Sequence, residues 1–281
     1  MEQFIFYLLI FSIGTVFGSF FTLAVYRIPL HQDITHKRSY CPNCTHKLSF
    51  FDMIPILSYI FLGGKCRYCK QKIRIRYLLL EILTGIIFLL FAMSLNISFK
   101  ALEIHKLVYL LFGMLYLSGI IIIAGIDKER HTIQKSVIIY ELVIIALYMV
   151  YLYTVGETNI YRYAIYLLIL CVLLILENRY LKNKLKSIYT FEILELSIIM
   201  AIFSSEIVYI YTTILTLLSI AIGIIGRKLL DKTNKVAKKE KKYYNNFPFG
   251  FYLICSNIFS IIIINWIACR WWNEEKKIKS K

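Results

Sequence analysis

Four cysteines form two Cys-x-x-Cys pairs in the first quarter of the chain. Cys41 and Cys44 make the first pair, and Cys66 and Cys69 make the second after 21 intervening residues. Four thiolates held in two tight turns are a donor set for a tetrahedral Zn²⁺ ion. One such pair alone could be a redox pair, but two pairs at nearly zinc-ribbon spacing favour zinc. Because all four ligands would be cysteines, no coordination position stays open for water, and the predicted ion is structural.

Carboxylates next to apolar runs are the other residues that could do chemistry. Asp127 directly follows the run IIIIAGI, and Glu192 and Glu195 lie three residues apart at the start of a later run. Ionisable groups at membrane helices are costly to bury, which makes them functional candidates. Two carboxylates that share one water can act as base and acid, because each raises the other's proton affinity. The pattern is typical of aspartic-protease chemistry.

Other roles for these acidic residues remain open from the residues alone. Asp127 is equally well interpreted as an interfacial charge that ends a helix. Glu81 and Glu141 also lie near the ends of apolar runs and could pair with Lys or Arg. Composition does not choose among these carboxylates.

The composition predicts an all-α integral membrane protein. Hydrophobic residues make up 59% of the 281 residues, and the mean hydropathy is +0.65. Apolar runs of about 17 to 25 residues are long enough to cross a bilayer as helices. About eight such runs are predicted as transmembrane helices: Phe4–Val25, Tyr77–Ser98, His105–Ile126, Ser136–Val155, Tyr161–Leu176, Phe191–Phe203, Ile207–Gly226 and Phe249–Ala268.

The net charge of +16 predicts orientation and does not indicate nucleic-acid binding. Lys and Arg cluster in short loops between the apolar runs, as the positive-inside rule describes. The loop of residues 27–76 holds ten of them against Asp33 and Asp52, which predicts a cytoplasmic loop. Asp127 and Glu192 are expected on the same side. The basic C-terminal tail conflicts with this pattern, so its side stays open.

Three regions are therefore predicted. Residues 1–26 form the first transmembrane helix, residues 27–76 form a cytoplasmic zinc-binding loop, and residues 77–281 form a transmembrane domain of seven helices. A reducing compartment keeps the four thiols available to metal. A loop of this size has little core, and zinc can contribute about 10–16 kcal/mol of coupled folding free energy. Gly14 and Gly18 form a small-xxx-small pair that predicts close helix packing.

Several motifs in this order resemble the prepilin peptidase family, the type IV leader peptidases. They are GSFFTLAVYRIP, the two Cys pairs, MIPILSYIFLGGKCRYC, IRIRYLLLEILTG, GIDKERHTI and FPFGFYL. The resemblance implies a multi-pass enzyme of the bacterial inner (plasma) membrane with a cytoplasmic active face. Such an enzyme cleaves the basic leader of type IV prepilins or pseudopilins, and in many members it methylates the new N-terminus with S-adenosylmethionine.

The resemblance also implies roles for particular residues. Asp127 corresponds to the first catalytic aspartate, and the four cysteines correspond to the family's cytoplasmic tetrad. The second aspartate lies in a Gly-x-Gly-Asp-x-Lys motif, where this chain has Phe191-Glu192 in place of Gly-Asp and Leu194 in place of Lys. Glu192 is expected to be the second catalytic carboxylate, with Glu195 in reserve. The alternative is a degenerate paralogue that binds prepilins or pilus assembly proteins without cleaving them.

Overall fold

The protein is helical throughout the part of the chain that the structure describes. The structure is a computed structural model that describes residues 1–34, 39–41, 43–97, 103–156, 160–176, 189–233 and 248–279. Within these residues, strand pairing is limited to two isolated bridges, Tyr40 with Lys47 and Lys65 with Lys72. The α-helices are α1 Glu2–Arg27, α2 Leu57–Phe61, α3 Arg76–Ser94, α4 Ile104–Arg130, α5 Lys135–Val155, α6 Ile160–Leu176, α7 Tyr189–Phe203, α8 Glu206–Thr233 and α9 Phe249–Lys279.

Six of these helices are long and apolar enough to cross a membrane: α1, α3, α4, α5, α8 and α9. This finding confirms the all-α class and six of the expected spans. The fifth and sixth expected spans are also helical over the residues that the structure describes, as α6 and α7.

Several predicted boundaries differ from the structure; helix α4 continues past Ile126 to Arg130 and α9 past Ala268 to Lys279. Helix α3 ends at Ser94 and not at Ser98, because Asn96 takes a left-handed backbone with φ 44°. Helix α8 continues past Gly226 to Thr233, since a helix can extend into water beyond its apolar part. The basic segments 179–186 and 234–242 on which the orientation partly rests lie outside the described residues.

The chain forms two compact units. One comprises Met1–Met114 with Asn265–Lys281, and the other comprises Leu115–Ile264. In the first unit, α1 packs directly on α3 through glycines. A Cβ at Gly14 would lie 2.8 Å from the Cα of Gly85, and one at Gly18 would lie 2.8 Å from the Cα of Glu81. The Gly14/Gly18 pair therefore packs helices, as its spacing predicts.

The second unit has a buried polar network among its apolar core. The hydroxyl of Tyr116 donates to the amide oxygen of Asn257 at 2.8 Å. The amide nitrogen of Asn257 lies 3.3 Å from the hydroxyl of Thr212 and 3.4 Å from that of Ser204. All four residues are buried. Because each polar group has a hydrogen-bond partner, the network can lie inside the helix packing without a large desolvation cost.

Candidate active site and metal centre

The four cysteines of the two pairs come together in the first unit. Their sulfur atoms all lie within 4.8 Å of one another, and the Sγ atoms of Cys41 and Cys69 are 3.8 Å apart. A tetrahedral zinc site with Zn–S bonds of about 2.3 Å has S···S edges of about 3.8 Å. The cluster could thus hold a metal ion, and the all-thiolate donor set fits zinc.

Each cysteine pair lies in the same kind of backbone turn. The N–H of Thr45 donates to the carbonyl of Cys41 at 2.8 Å, and the N–H of Lys70 donates to the carbonyl of Cys66 at 3.0 Å. Thr45 and Lys70 both take left-handed φ values, 56° and 58°. These turns fold the chain back so that both sulfurs of each pair point to a common centre.

Local hydrogen bonds prepare one thiol for metal binding. The backbone N–H of Gln71 and the side-chain amide of Asn43 lower the pKa of the Cys69 thiol to about 6. The amide nitrogen of Asn43 lies 3.6 Å from that sulfur. A thiol with a lowered pKa is largely thiolate at neutral pH, which is the form that ligates metals.

Asp127 is buried in the second unit, where three segments meet. It lies in the last turn of α4 and has no exposed surface. One carboxyl oxygen, Oδ1, accepts a hydrogen bond of 2.7 Å from the hydroxyl of Tyr189, at the start of α7. The other, Oδ2, accepts a hydrogen bond of 2.8 Å from the backbone N–H of Phe251, in the first turn of α9. Asp127 does lie at the end of a helix, but burial with a hydrogen-bond donor on each oxygen is unlike a simple interfacial charge.

Asp127 satisfies a backbone donor that helix α9 leaves open. The first N–H groups of a helix have no partner within it, and an acceptor near them is further favoured by the helix dipole. The N–H of Gly250 donates to the Tyr189 hydroxyl at 3.3 Å, so Tyr189 joins α9 to Asp127. A Cβ at Gly250 would come within 3.1 Å of Oδ2 of Asp127, which shows how closely the backbone approaches the carboxylate.

Glu192 lies one helical turn after Tyr189 and reaches the segment that follows α4. Its Oε2 lies 3.3 Å from the backbone nitrogen of Ile133, six residues beyond Asp127. Glu195 follows on the same helix and is fully buried. The start of α7 therefore contacts both Asp127 itself, through Tyr189, and the chain just after it, through Glu192.

The other two carboxylates take different roles. Glu81 accepts a hydrogen bond of 2.8 Å from the backbone N–H of Ile56, within the first unit. Glu141 is fully buried on α5, where its carboxyl packs against Gly119 of α4. A Cβ at Gly119 would overlap that carboxyl.

Tyr189 is the site residue that sequence reasoning missed. It precedes Glu192 by three residues, so both project from the same face of α7. That spacing was the available signal, because a polar aromatic residue one turn from a candidate carboxylate shares its surroundings. The fold and site thus define a class: a helical membrane-protein architecture with a four-cysteine cluster able to hold a metal and a buried, hydrogen-bonded carboxylate.

Known proteins resemble part of this chain. Residues 12–95 match the family model of the bacterial peptidase A24 N-terminal domain. A prepilin leader peptidase/N-methyltransferase of Myxococcus xanthus is 42% identical over 84 residues, which cover 30% of this chain and 25% of that protein. Proteins of the same name from Klebsiella pneumoniae and Bacillus subtilis are each 33% identical. Those matches cover 45% and 49% of this chain, and 54% and 52% of the relatives.

These findings support the prepilin peptidase family for this chain. The chain spans between about a quarter and about half of the length of the curated relatives it matches. No solved structure matches it.

Proposed function

We propose that the protein is a prepilin leader peptidase that removes the basic leader of type IV prepilins or pseudopilins. The main observation is the buried Asp127, whose two carboxyl oxygens accept hydrogen bonds from Tyr189 and Phe251. Relatives that carry the name prepilin leader peptidase/N-methyltransferase support the substrate class and disfavour the non-cleaving alternative. The helices that are apolar enough to cross a membrane support a reaction at a bacterial plasma membrane, and the basic loop supports a cytoplasmic active face.

The proposed chemistry is hydrolysis by two carboxyl groups. Each carboxylate oxygen has two lone-pair sites, so Asp127 can still accept a proton or a hydrogen bond at either oxygen beyond those from Tyr189 and Phe251. As a base, Asp127 takes a proton from water while the water oxygen bonds to the scissile carbonyl carbon. Glu192, in its protonated form, donates a proton to the leaving amide nitrogen as the carbon–nitrogen bond breaks. Tyr189 acts as a positioning residue, because its hydroxyl fixes the orientation of the Asp127 carboxylate.

The cysteine cluster is proposed to bind one structural Zn²⁺. Cys41, Cys44, Cys66 and Cys69 would be the ligands, and the ion would link the two turns of a loop with little core of its own. No step of the hydrolysis needs this ion. The proposed division into a first helix, a zinc loop and a seven-helix peptidase domain follows from these assignments.

Cleavage of a type IV prepilin in reconstituted membranes tests the proposal. Asp127→Asn and Glu192→Gln should each abolish leader cleavage while protein level and zinc content stay near wild type. Glu195→Gln is the matched control, because Glu195 is buried one turn further along α7. If Glu195→Gln abolishes cleavage and Glu192→Gln does not, Glu195 is the second carboxylate and the two-carboxylate mechanism stands.

The non-cleaving alternative makes a distinct prediction. In that case the wild-type chain never cleaves a cognate prepilin, whereas Phe191→Gly combined with Glu192→Asp confers cleavage. This result would overturn the proposed peptidase activity.

N-methylation of the mature pilin is a further part of the proposal. It rests on the methyltransferase in the relatives' names, which implies S-adenosylmethionine as methyl donor. No residue is assigned to that co-substrate. Mass spectrometry of processed pilin tests the claim, and an unmethylated N-terminus formed in the presence of S-adenosylmethionine would remove it.

A further inference from the structure

The loop that carries the cysteines also exposes a cluster of large apolar side chains. They lie in residues 50–61, here called the aromatic segment, which contains a 3₁₀ turn at Phe50–Met53 and helix α2. Phe50, Phe51 and Phe61 are 74%, 71% and 83% exposed, and Leu57 and Ile60 are also exposed. An apolar cluster of this kind usually marks a surface that contacts a partner or a membrane.

The aromatic segment is attached partway along a membrane-spanning helix. The carboxylate of Glu81 accepts a hydrogen bond of 2.8 Å from the backbone N–H of Ile56, which immediately precedes α2. Glu81 lies five residues inside α3, about 7.5 Å along the helix axis from its first residue. The chain before α2 therefore folds back along α3 to the level of its second turn, which belongs to an apolar helix long enough to cross the membrane.

The backbone at this attachment is strained. Ile56 takes φ 62°, which is uncommon for a β-branched residue. The hydrogen bond to Glu81 compensates for part of this cost. The carboxylate contact and the turn at Ile56 together hold the start of α2 beside α3.

The charge around the aromatic segment favours an anionic membrane surface as its partner. Exposed basic residues follow it at Lys65, Lys70, Lys72 and Arg74. Asp52, the acidic residue among described positions 39–76, is 2% exposed and forms an ion pair of 2.7 Å with Arg67. Exposed aromatic side chains beside surplus positive charge match the boundary between acyl chains and anionic headgroups.

We propose that the aromatic segment is an interfacial anchor that inserts into the bilayer holding α1 and α3. Phe50, Phe51 and Phe61 lie at the headgroup–acyl boundary, and the basic residues contact anionic headgroups. The anchor holds the cysteine loop against the membrane surface. This proposal does not depend on peptidase activity.

Fluorescence quenching by brominated phospholipids tests the anchor on the full-length protein. The three native tryptophans are first replaced by Trp266→Phe, Trp271→Phe and Trp272→Phe. Phe61→Trp then places the only tryptophan, excited selectively at 295 nm or above, in the aromatic segment, and Tyr68→Trp serves as the matched control. Tyr68 is 44% exposed in the same loop, next to Cys69, and outside the segment. Nanodiscs of phosphatidylcholine and phosphatidylglycerol carry bromine either near the headgroup or near the chain end.

Phe61→Trp fluorescence should be lost with bromine near the headgroup and largely kept with bromine near the chain end. Tyr68→Trp fluorescence should be largely kept in either lipid. Equal quenching of the two positions would overturn the proposal, and so would quenching of Phe61→Trp by deep bromine alone. Phe50→Trp repeats the measurement if Phe61→Trp lowers zinc content or helical content. A blue shift at Phe61→Trp that appears only when a second apolar protein segment is added, without lipid quenching, would also overturn it in favour of a protein partner.

Discussion

The cysteine cluster and the Asp127 site are built in opposite ways. The cysteines come from two turns close together in sequence, each stabilised by its own backbone hydrogen bonds, and their sulfurs converge on a centre that could hold a metal ion. Asp127 instead bonds residues 62 and 124 positions away, and both of its oxygens have partners within the chain. The first region is local, and its cluster could hold a metal. The second is non-local and depends on helix packing.

Removal of the metal should have the largest effect of the changes considered, namely the unfolding of the cysteine loop. Cys41→Ser combined with Cys66→Ser should abolish stoichiometric zinc, because two of four ligands are lost. The coupled folding free energy of such a site is about 10–16 kcal/mol, so the loop should become sensitive to limited proteolysis. Elemental analysis and proteolysis check this outcome. Cys255→Ser is the control, because Cys255 lies outside the cluster on α9. Unchanged metal content would contradict the zinc assignment.

Removal of the Tyr189 hydroxyl tests the Asp127 site, which depends on helix packing. Tyr189→Phe keeps the ring and deletes the donor to Asp127. A hydrogen bond to a charged group contributes about 1.5–3 kcal/mol, so kcat for leader cleavage should fall about tenfold to a hundredfold with KM near wild type. Tyr209→Phe is the matched control, because its hydroxyl bonds Ser197 at 2.7 Å in the same unit. If both variants cleave equally well, Tyr189 has no positioning role.

A substitution at Gly18 tests the packing of α1 on α3 in the first unit. Gly18→Ala should separate α1 from α3, because the added Cβ would meet the backbone of Glu81 at 2.8 Å and of Leu80 at 3.1 Å. Overpacking of this kind costs about 1–3 kcal/mol, which a thermal unfolding measurement in detergent can detect. Gly226→Ala on α8 is the control, since no atom lies within 4 Å of its added Cβ. Equal unfolding temperatures for the two variants would contradict the close contact.

The smallest effect is expected at the ion pair between Asp52 and Arg67 in the cysteine loop. Burial opposes ionisation of Asp52, but hydrogen bonds from Arg67 and Ser49 outweigh it and hold the pKa of Asp52 below its ordinary value of 3.8. Arg67 is half exposed, so solvent screening keeps the coupling in a double-mutant cycle of Asp52→Asn and Arg67→Gln the smallest of the effects expected here.

The pH dependence of that coupling has a defined sign. A carboxyl whose folded pKa is depressed contributes stability above its ordinary pKa and loses it as pH falls through the folded value. The coupling should therefore be equal at pH 7 and pH 5. A coupling that weakens between these two values would show that Asp52 is not held in the ionised form.

The features determined by the sequence alone are local ones. Apolar runs predict the helices, because hydropathy and length decide whether a segment can span a bilayer. The spacing of Gly14 and Gly18 predicts the α1–α3 contact, and the two Cys pairs predict the cluster of thiols. Each of these signals lies within one element or one short loop, where the composition and spacing of the residues are enough to predict the local structure.

Only the tertiary structure decided which groups surround Asp127. Nothing local to Asp127 indicates Tyr189 or the N–H of Phe251, because both arrive from distant helix starts that packing brings together. The level of α2 is decided in the same way, since the bond from Ile56 to Glu81 joins residues 25 positions apart. Contacts of this kind depend on how helices pack and end, and the periodicity of a single segment does not contain that information.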